Sequence, residues 1–189
     1  MRGIRERRSI RSFQDRDVPD DLLSQVFEAV RWSPSRANPR CREIIAVRDP
    51  GLEKRLRETV GPGNAAAKSV VSAPVVLVVC GKLGRAGHYH GRVTTRFGDR
   101  LLFDLGIATQ NLCPAARDPG LGTVIVGLFD HEEAGRIFEI PPEHQPVALV
   151  PPGCPSRVPP APRRREAAEF THFKRFRNDL KPGKPPGLE

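Results

Sequence analysis

Leu22, Leu23, Val26, Phe27 and Val30 recur at the spacing of one helical face. Pro19 suits a first helical turn, and Asp20 and Asp21 complement the positive start of a helix. A helix is therefore expected here, ended by Pro34. Weak alternation over residues 43–48 predicts a strand, and residues 52–60 predict a short helix. Residues 75–80 form a continuous apolar run of strong β propensity, which predicts a strand covered on both faces. Residues 99–116 carry Leu101, Leu102, Leu105, Ala108 and Leu112, the pattern of a long, central, buried helix. Pro114 is expected to kink or end it. Two more strands are expected at residues 123–128 and 147–150, with a short helix near residues 132–138 between them.

From Pro151 the chain reads Pro-Pro-Gly-Cys-Pro-Ser-Arg-Val-Pro-Pro-Ala-Pro. Proline lacks the backbone donor that a helix interior or central strand needs, so this stretch is expected to run extended along a surface. Phe170, Phe173 and Phe176 follow at i, i+3 and i+6, an apolar stripe with nothing of its own to bury against. That stripe most simply packs on another subunit. Residues 181–189 show no apolar periodicity and are expected to be a disordered tail. The expectation is one domain over residues 1–180, with residues 151–180 as an extended arm. A length of 189 residues suits a single domain, although 38% hydrophobic and 6% aromatic content are modest and leave room for an interface.

A formal net charge of +9 is compatible with nucleic acid, an anionic membrane or phosphorylated ligands. The basic residues cluster near the N-terminus, at residues 163–165 and in the tail, and aromatics do not interleave with basic residues on an expected sheet face, as single-strand nucleic-acid binders need. A phosphate site on a solvated basic surface fits better. Cys41, Cys80, Cys113 and Cys154 are widely spaced, with no Cys-x-x-Cys pair and no histidines at zinc spacing. Cys80 and Cys113 read as buried small hydrophobes. No apolar run approaches the ~20 residues that span a bilayer, and the charged start lacks the apolar core of a signal peptide. A cytoplasmic protein without membrane or nucleic-acid partners and without a metal is expected.

The chemistry concentrates in Arg7-Arg8-Ser9-Ile10-Arg11-Ser12-Phe13 and in Ser33-Pro34-Ser35-Arg36-Ala37-Asn38. Guanidinium groups grip phosphate through forked, charge-assisted hydrogen bonds, and a serine hydroxyl donates beside them. Arg7, Ser9 and Arg11, then Pro34, Ser35 and Asn38, then the run Gly120-Leu121-Gly122-Thr123, then Arg164 before an acidic-apolar-His segment ending at His172, resemble the nitroreductase family in order and spacing. The resemblance extends from about Arg5 to about Phe176.

That resemblance implies an α+β fold, a central mixed β-sheet flanked by helices, with a C-terminal extension that wraps the partner subunit of a homodimer. It implies FMN at the dimer interface, with NADH or NADPH as donor. Arg7 and Arg164 would hold the 5′-phosphate, with Ser9, Arg8 and Arg163 assisting. Arg11 would face the N1/O2 edge of the ring, where reduction places negative charge. Pro34, Ser35, Arg36 and Asn38 would reach the ring from the other subunit, and Asn64 could bond its pyrimidine end. Gly127 matches the glycine whose backbone approaches N5, and Val126 the variable position before it. No side chain acts as a nucleophile; FMN performs the hydride step. Expected turnover is ping-pong, from NAD(P)H through N5 to a small acceptor such as a nitroaromatic or quinone.

Departures from the family also stand in the sequence. Where relatives continue Ser-Gln-Pro-Trp, this chain has Pro39-Arg40-Cys41-Arg42, an arginine pair expected to line or flank the pocket, and Pro162 replaces a frequent lysine. His88, Tyr89 and His90 lie in a segment expected to cover the site. The alternatives are an FMN- or nucleotide-binding protein without turnover, and a basic nucleic-acid-binding module.

Overall fold

An uninterrupted run of buried apolar side chains from Val75 to Cys80 organises the fold, because a strand with no polar face needs cover on both sides. The computed structural model describes residues 2–35, 38–172 and 175–176. Its elements are α1 (Arg2–Glu6), α2 (Asp20–Arg31), β1 (Arg42–Val47), α3 (Pro50–Glu58), α4 (Ala67–Ser72), β2 (Val76–Lys82), β3 (His88–Tyr89), β4 (Arg92–Val93), α5 (Leu101–Arg117), β5 (Gly122–Thr123), α6 (His131–Ile137), β6 (His144–Val150) and β7 (Pro152–Gly153). The architecture is α+β. The three-stranded sheet has order β1-β2-β6 and is antiparallel throughout; among the described residues the parallel component is a single bridge between Ser9 and Thr123.

Successive strand residues face opposite ways, so β2 sorts the core into two layers. Val75, Leu77 and Val79 meet Leu23, Val26 and Val30 of α2 and Leu105 and Leu112 of α5. Val76, Val78 and Cys80 meet Leu56 of α3, Val70 of α4 and, from the later chain, Val126, Phe129 and Leu149. Cys41, Cys80 and Cys113 are buried in these layers. Burial pushes the Cys80 thiol up to about 12.

Helix starts follow side-chain chemistry. Asp49 accepts from the Leu52 N–H at 2.8 Å, with Pro50 in the first turn of α3, and Asp130 accepts from the Glu133 N–H at 2.9 Å at the start of α6. Helix α2 has Pro19 at its cap without a side-chain hydrogen bond. Glu53, buried in the first turn of α3, has its carboxyl pushed up to about 7 by burial and by neighbouring Asp49.

Three features differ from the sequence expectations. Helix α5 continues past Pro114 to Arg117, since a proline this near the end removes one hydrogen bond while its own carbonyl still accepts from Asp118 N–H at 3.0 Å. The strand expected at 123–128 is divided: β5 is short, and Val126 makes an isolated bridge to Leu149. Pro151, Pro152 and Gly153 are buried rather than lying on a surface, with β7 paired to β5. A two-residue strand asks little of the missing proline donor, and Gly153 gives the room: a Cβ there would sit 2.8 Å from the Phe13 ring. Helices α1 and α4 and the β3–β4 hairpin had no distinct signal.

The chain divides between Pro159 and Pro160 into two units. In the second, a 3₁₀ turn at Ala167–Glu169 is closed by reciprocal Glu166 and Glu169 caps. Arg165 lies over the Phe170 ring, and the His172 and Phe176 rings are 4.3 Å apart. Phe170 and Phe176 are exposed; Phe173 and residues 181–189 lie outside the described residues.

Candidate functional site

The N-terminal basic segment is laid along β5. Ile10 N–H donates to the Thr123 carbonyl at 2.9 Å, Gln14 N–H to Cys154 at 2.8 Å, and Ser156 N–H to Ser12 at 3.1 Å. Gly122 makes this approach possible, because a Cβ there would lie 2.8 Å from Ile10 Cβ. Ile10, Phe13 and Ala73 then form a small core beneath the segment. Ser9 is fixed beside Thr123, while Arg11 points to solvent.

A cavity of about 220 Å³ opens there, lined by Arg7, Arg8, Cys113, Arg117, Gly122 and Thr123 among others. Its arginines have separate tasks. Arg8 is folded back, its Nη1 donating to the carbonyls of Arg5 at 2.6 Å and Arg7 at 2.8 Å and so capping the end of α1. Arg117 pairs with Glu6 at 3.1 Å. Arg7 makes no hydrogen bond or ion pair through its guanidinium among the described residues. Its charge is felt inside: burial raises the Cys113 thiol, while a bond with Thr123 and the charge of Arg7 oppose that rise. A half-buried guanidinium, unpaired among the described residues, beside a hydroxyl and the Gly122 backbone suits an anionic oxygen.

Beyond β5 the chain alternates. Val124 and Val126 are buried, and Ile125, Gly127 and Leu128 face out. Val126 exchanges both backbone hydrogen bonds with Leu149 at 2.9 Å. The Val126 side chain lies in the core, and both its backbone groups are engaged with Leu149. Around Gly127 a Cβ would meet nothing within 4 Å, so this chain's own packing does not require glycine there and the outer face is open. Asn64 is clasped to the same strand, its Nδ2 donating to the Leu128 carbonyl at 3.3 Å and its Oδ1 accepting from Ala66 N–H at 2.9 Å. A second cavity, of about 830 Å³, has Gly127 in its wall together with Leu83, Asp99, Leu102 and His131.

The Pro34–Asn38 group stands elsewhere. Pro34 is exposed, and Ser35 Oγ is buried without a hydrogen bond among the described residues. Asn38 and Arg40 take left-handed backbone at φ 54° and 50°, and Arg40 Nε donates to Asn38 Oδ1 at 3.3 Å. Arg36 lies outside the described residues. Cys41 is buried against Asp104, 3.9 Å from its Oδ2, and burial followed by that carboxylate pushes the thiol up to about 11. Arg42 donates to the Arg31 carbonyl at 2.6 Å and caps α2. Asp104 anchors this group near the start of α5, whereas Cys113 and Arg117 mark the Arg7 cavity near its end. At ~1.5 Å per residue the two anchors are roughly 15–20 Å apart along the helix. The chain therefore sets Arg7 and Ser9 at β5 near the end of α5, while Gly127, farther along the same path, shares its cavity with Asp99 and Leu102 at the start of α5, the end at which Cys41 and Asp104 anchor the Pro34–Asn38 group. Arg163 and Arg164 are exposed in the second unit.

Among the described residues, no helix is long and apolar enough to cross a membrane. The profile of the Nitroreductase family matches residues 4–154. The chain is 31% identical over 163 residues to an NADH dehydrogenase/NAD(P)H nitroreductase proposed for Methanothermobacter thermautotrophicus, covering 84% of this chain and 78% of that protein. It is 30% identical over 152 residues to the FMN reductase (NAD(P)H) of Bacillus subtilis, covering 75% of this chain and 59% of that longer protein. Among solved structures, Bacillus megaterium NfrA2 superposes with a TM-score of 0.79 at 27% identity, over 95% of this chain and 76% of that one. With the family profile matched over most of its length and the fold shared with a solved relative, the chain belongs to the nitroreductase family.

Proposed function

We propose that this chain is an FMN-dependent oxidoreductase that takes hydride from NADH or NADPH and passes it to a small organic acceptor such as a nitroaromatic or quinone. The observation that carries the reading is the unpaired Arg7 guanidinium over the β5 cavity, on the same strand path as the open Gly127. The names of the relatives from Methanothermobacter and Bacillus support it.

The residues fit such a group. Arg7 and Ser9 receive the phosphate. Ile125, Gly127 and Leu128 offer an apolar path for the ring, open at Gly127, and Asn64 holds that path in place. Arg11, exposed and without a described partner, supplies positive charge at the ring edge. Ser35 and Asn38, anchored at the start of α5, serve the site of a partner subunit, which makes the working form a homodimer. Phe170 and Phe176 of the second unit are exposed in the single chain, as an arm that packs on that partner would require. When bound, FMN supplies N5, which exchanges hydride with donor and acceptor in turn. Donor and acceptor use one place in succession, so parallel initial-rate lines are expected. Four cysteines without a disulfide suit a reducing, cytoplasmic setting.

The test is to load the purified protein with FMN and add NADH or NADPH without oxygen. Bleaching of the flavin absorbance, restored by a quinone or nitroaromatic, is expected. Protein that takes up FMN yet keeps it oxidised under both donors is a binder without turnover, and protein that takes up none refutes the reading.

A further inference from the structure

The segment between β2 and α5 is a closed excursion whose chemistry has no task in the fold. Its neck is fastened by Gly84 N–H donating to Asp99 Oδ2 at 2.6 Å and by Arg100 N–H donating to the Ala86 carbonyl at 3.0 Å. Thr94 adds its N–H and its hydroxyl, both donating to the Gly87 carbonyl at 2.9 Å. Gly87 turns at φ 80°, and a Cβ there would lie 2.6 Å from the Gly98 carbonyl oxygen, so the bend depends on residue type.

This fastening holds Tyr89, Val93 and Phe97 in solvent, beside Leu102 and Phe103 at the start of α5. Arg85, Arg92, Arg96 and Arg100 are interleaved with them. Arg96 lies 4.8 Å over the Phe97 ring, and Arg100 lies 4.5 Å over that of Phe103. Among the described residues none of these four guanidiniums joins an ion pair. The adjacent acid, Asp99, has its two oxygens taken by the N–H groups of Gly84 and Leu101.

Exposed rings interleaved with unpaired cations suit a ligand that combines phosphate with a flat base. The neighbouring cavity of about 830 Å³ has Leu83, Asp99 and Leu102 on this side and Gly127 in the same wall. A second copy of the chain fits the patch less well, because a two-fold contact would set four unpaired cations against their own equivalents. We propose that the excursion binds the adenylate half of the dinucleotide donor, phosphate at Arg96 and Arg100 and base against Phe97 or Phe103. The reducing end is then directed into the cavity toward Gly127. The assignment rests on the NAD(P)H reading above.

The test is calorimetric titration of the FMN-loaded protein with ADP-ribose and with 2′,5′-ADP, which bind without turnover. Arg96→Glu is expected to weaken at least one of them roughly ten- to hundred-fold, and Phe97→Ala roughly ten-fold, with FMN affinity unchanged. Parental affinity in Arg96→Glu overturns the proposal. So does inorganic pyrophosphate binding as tightly as ADP-ribose, which marks a generic cation patch, or conversion of a dimer to a monomer by Arg96→Glu, which marks a subunit contact. If Arg96→Glu does not fold, Arg96→Gln is read by the same criteria. Flavin bleaching by NAD(P)H without adenylate binding sinks this inference alone. Arg96-dependent adenylate binding without bleaching sinks the oxidoreductase reading and leaves the excursion standing.

Discussion

The two ends of α2 and the mouth of the β5 cavity are both rich in arginine and use it in opposite ways. Arg48, just after β1, donates to the Val18 carbonyl at 2.6 Å and pairs with Asp20 at 2.8 Å at the start of the helix. Arg42, at the first position of β1, caps the other end through Arg31. One strand thus staples one helix at both termini. At β5, Arg8 and Arg117 are likewise occupied within the chain, and Arg7 is left over. A net charge of +9 does not distinguish these cases. A donor-by-donor account does, because a guanidinium with no internal partner beside a cavity is the one available to a ligand.

Exchanging the two kinds of arginine tests the distinction. Arg7→Ala is expected to lower FMN affinity roughly ten- to hundred-fold, the size of a charge-assisted hydrogen bond, with an unchanged melting temperature. Titration at equal affinity would return Arg7 to the structural group. Gly122→Ala should lower both quantities, since a methyl group in contact with Ile10 overpacks the seat of Ser9 at about 1–3 kcal/mol. Urea unfolding and FMN titration check it together, and a change in one without the other would uncouple seat from site.

Arg11→Gln keeps a donor and removes the charge. If about 1.5–3 kcal/mol is lost from reduced flavin alone, the two-electron potential falls by on the order of 30–65 mV. A potential equal to that of the parent, with FMN fully loaded, would place Arg11 away from the ring. Arg48→Ala is the smallest expected effect, about 1 kcal/mol of stability from a lost hydrogen bond and a largely exposed ion pair, with FMN affinity intact.

Hydrophobic period was a sound guide wherever an element buries a whole face. The α2 stripe, the two-sided β2 run and the α5 pattern each carry enough apolar residues to set type and position. Helix α4 escaped because Ala67–Ser72 is too short to show a repeat, and the β3–β4 hairpin because its residues face water on both sides. In the site, Arg7, Ser9 and Gly127 were legible as motif positions, and the structure lays them along one strand path. Where the Val126 and Arg8 side chains turn was not legible, for a common reason. A motif identifies a position, but which way its side chain turns is decided by partners distant in sequence or by a carbonyl one turn back, here Leu149 and Arg5. Arg42 repeats the lesson, since only the folded chain brings it to the end of α2.

The buried carboxyl of Glu53 makes folding of this chain a proton-consuming event near neutrality. Its ordinary value of 4.5 holds in the unfolded chain, and burial with Asp49 nearby lifts it to about 7 in the folded one. Between those values the native state binds more protons than the unfolded state, so stability declines as pH rises from about 4.5 to about 7 and levels off above. Glu53→Gln removes the proton exchange and should flatten that segment of a pH series of urea midpoints, with the variant gaining most over the parent at pH 8. So far as this one carboxyl decides, solution conditions on the acid side of neutrality favour the folded chain.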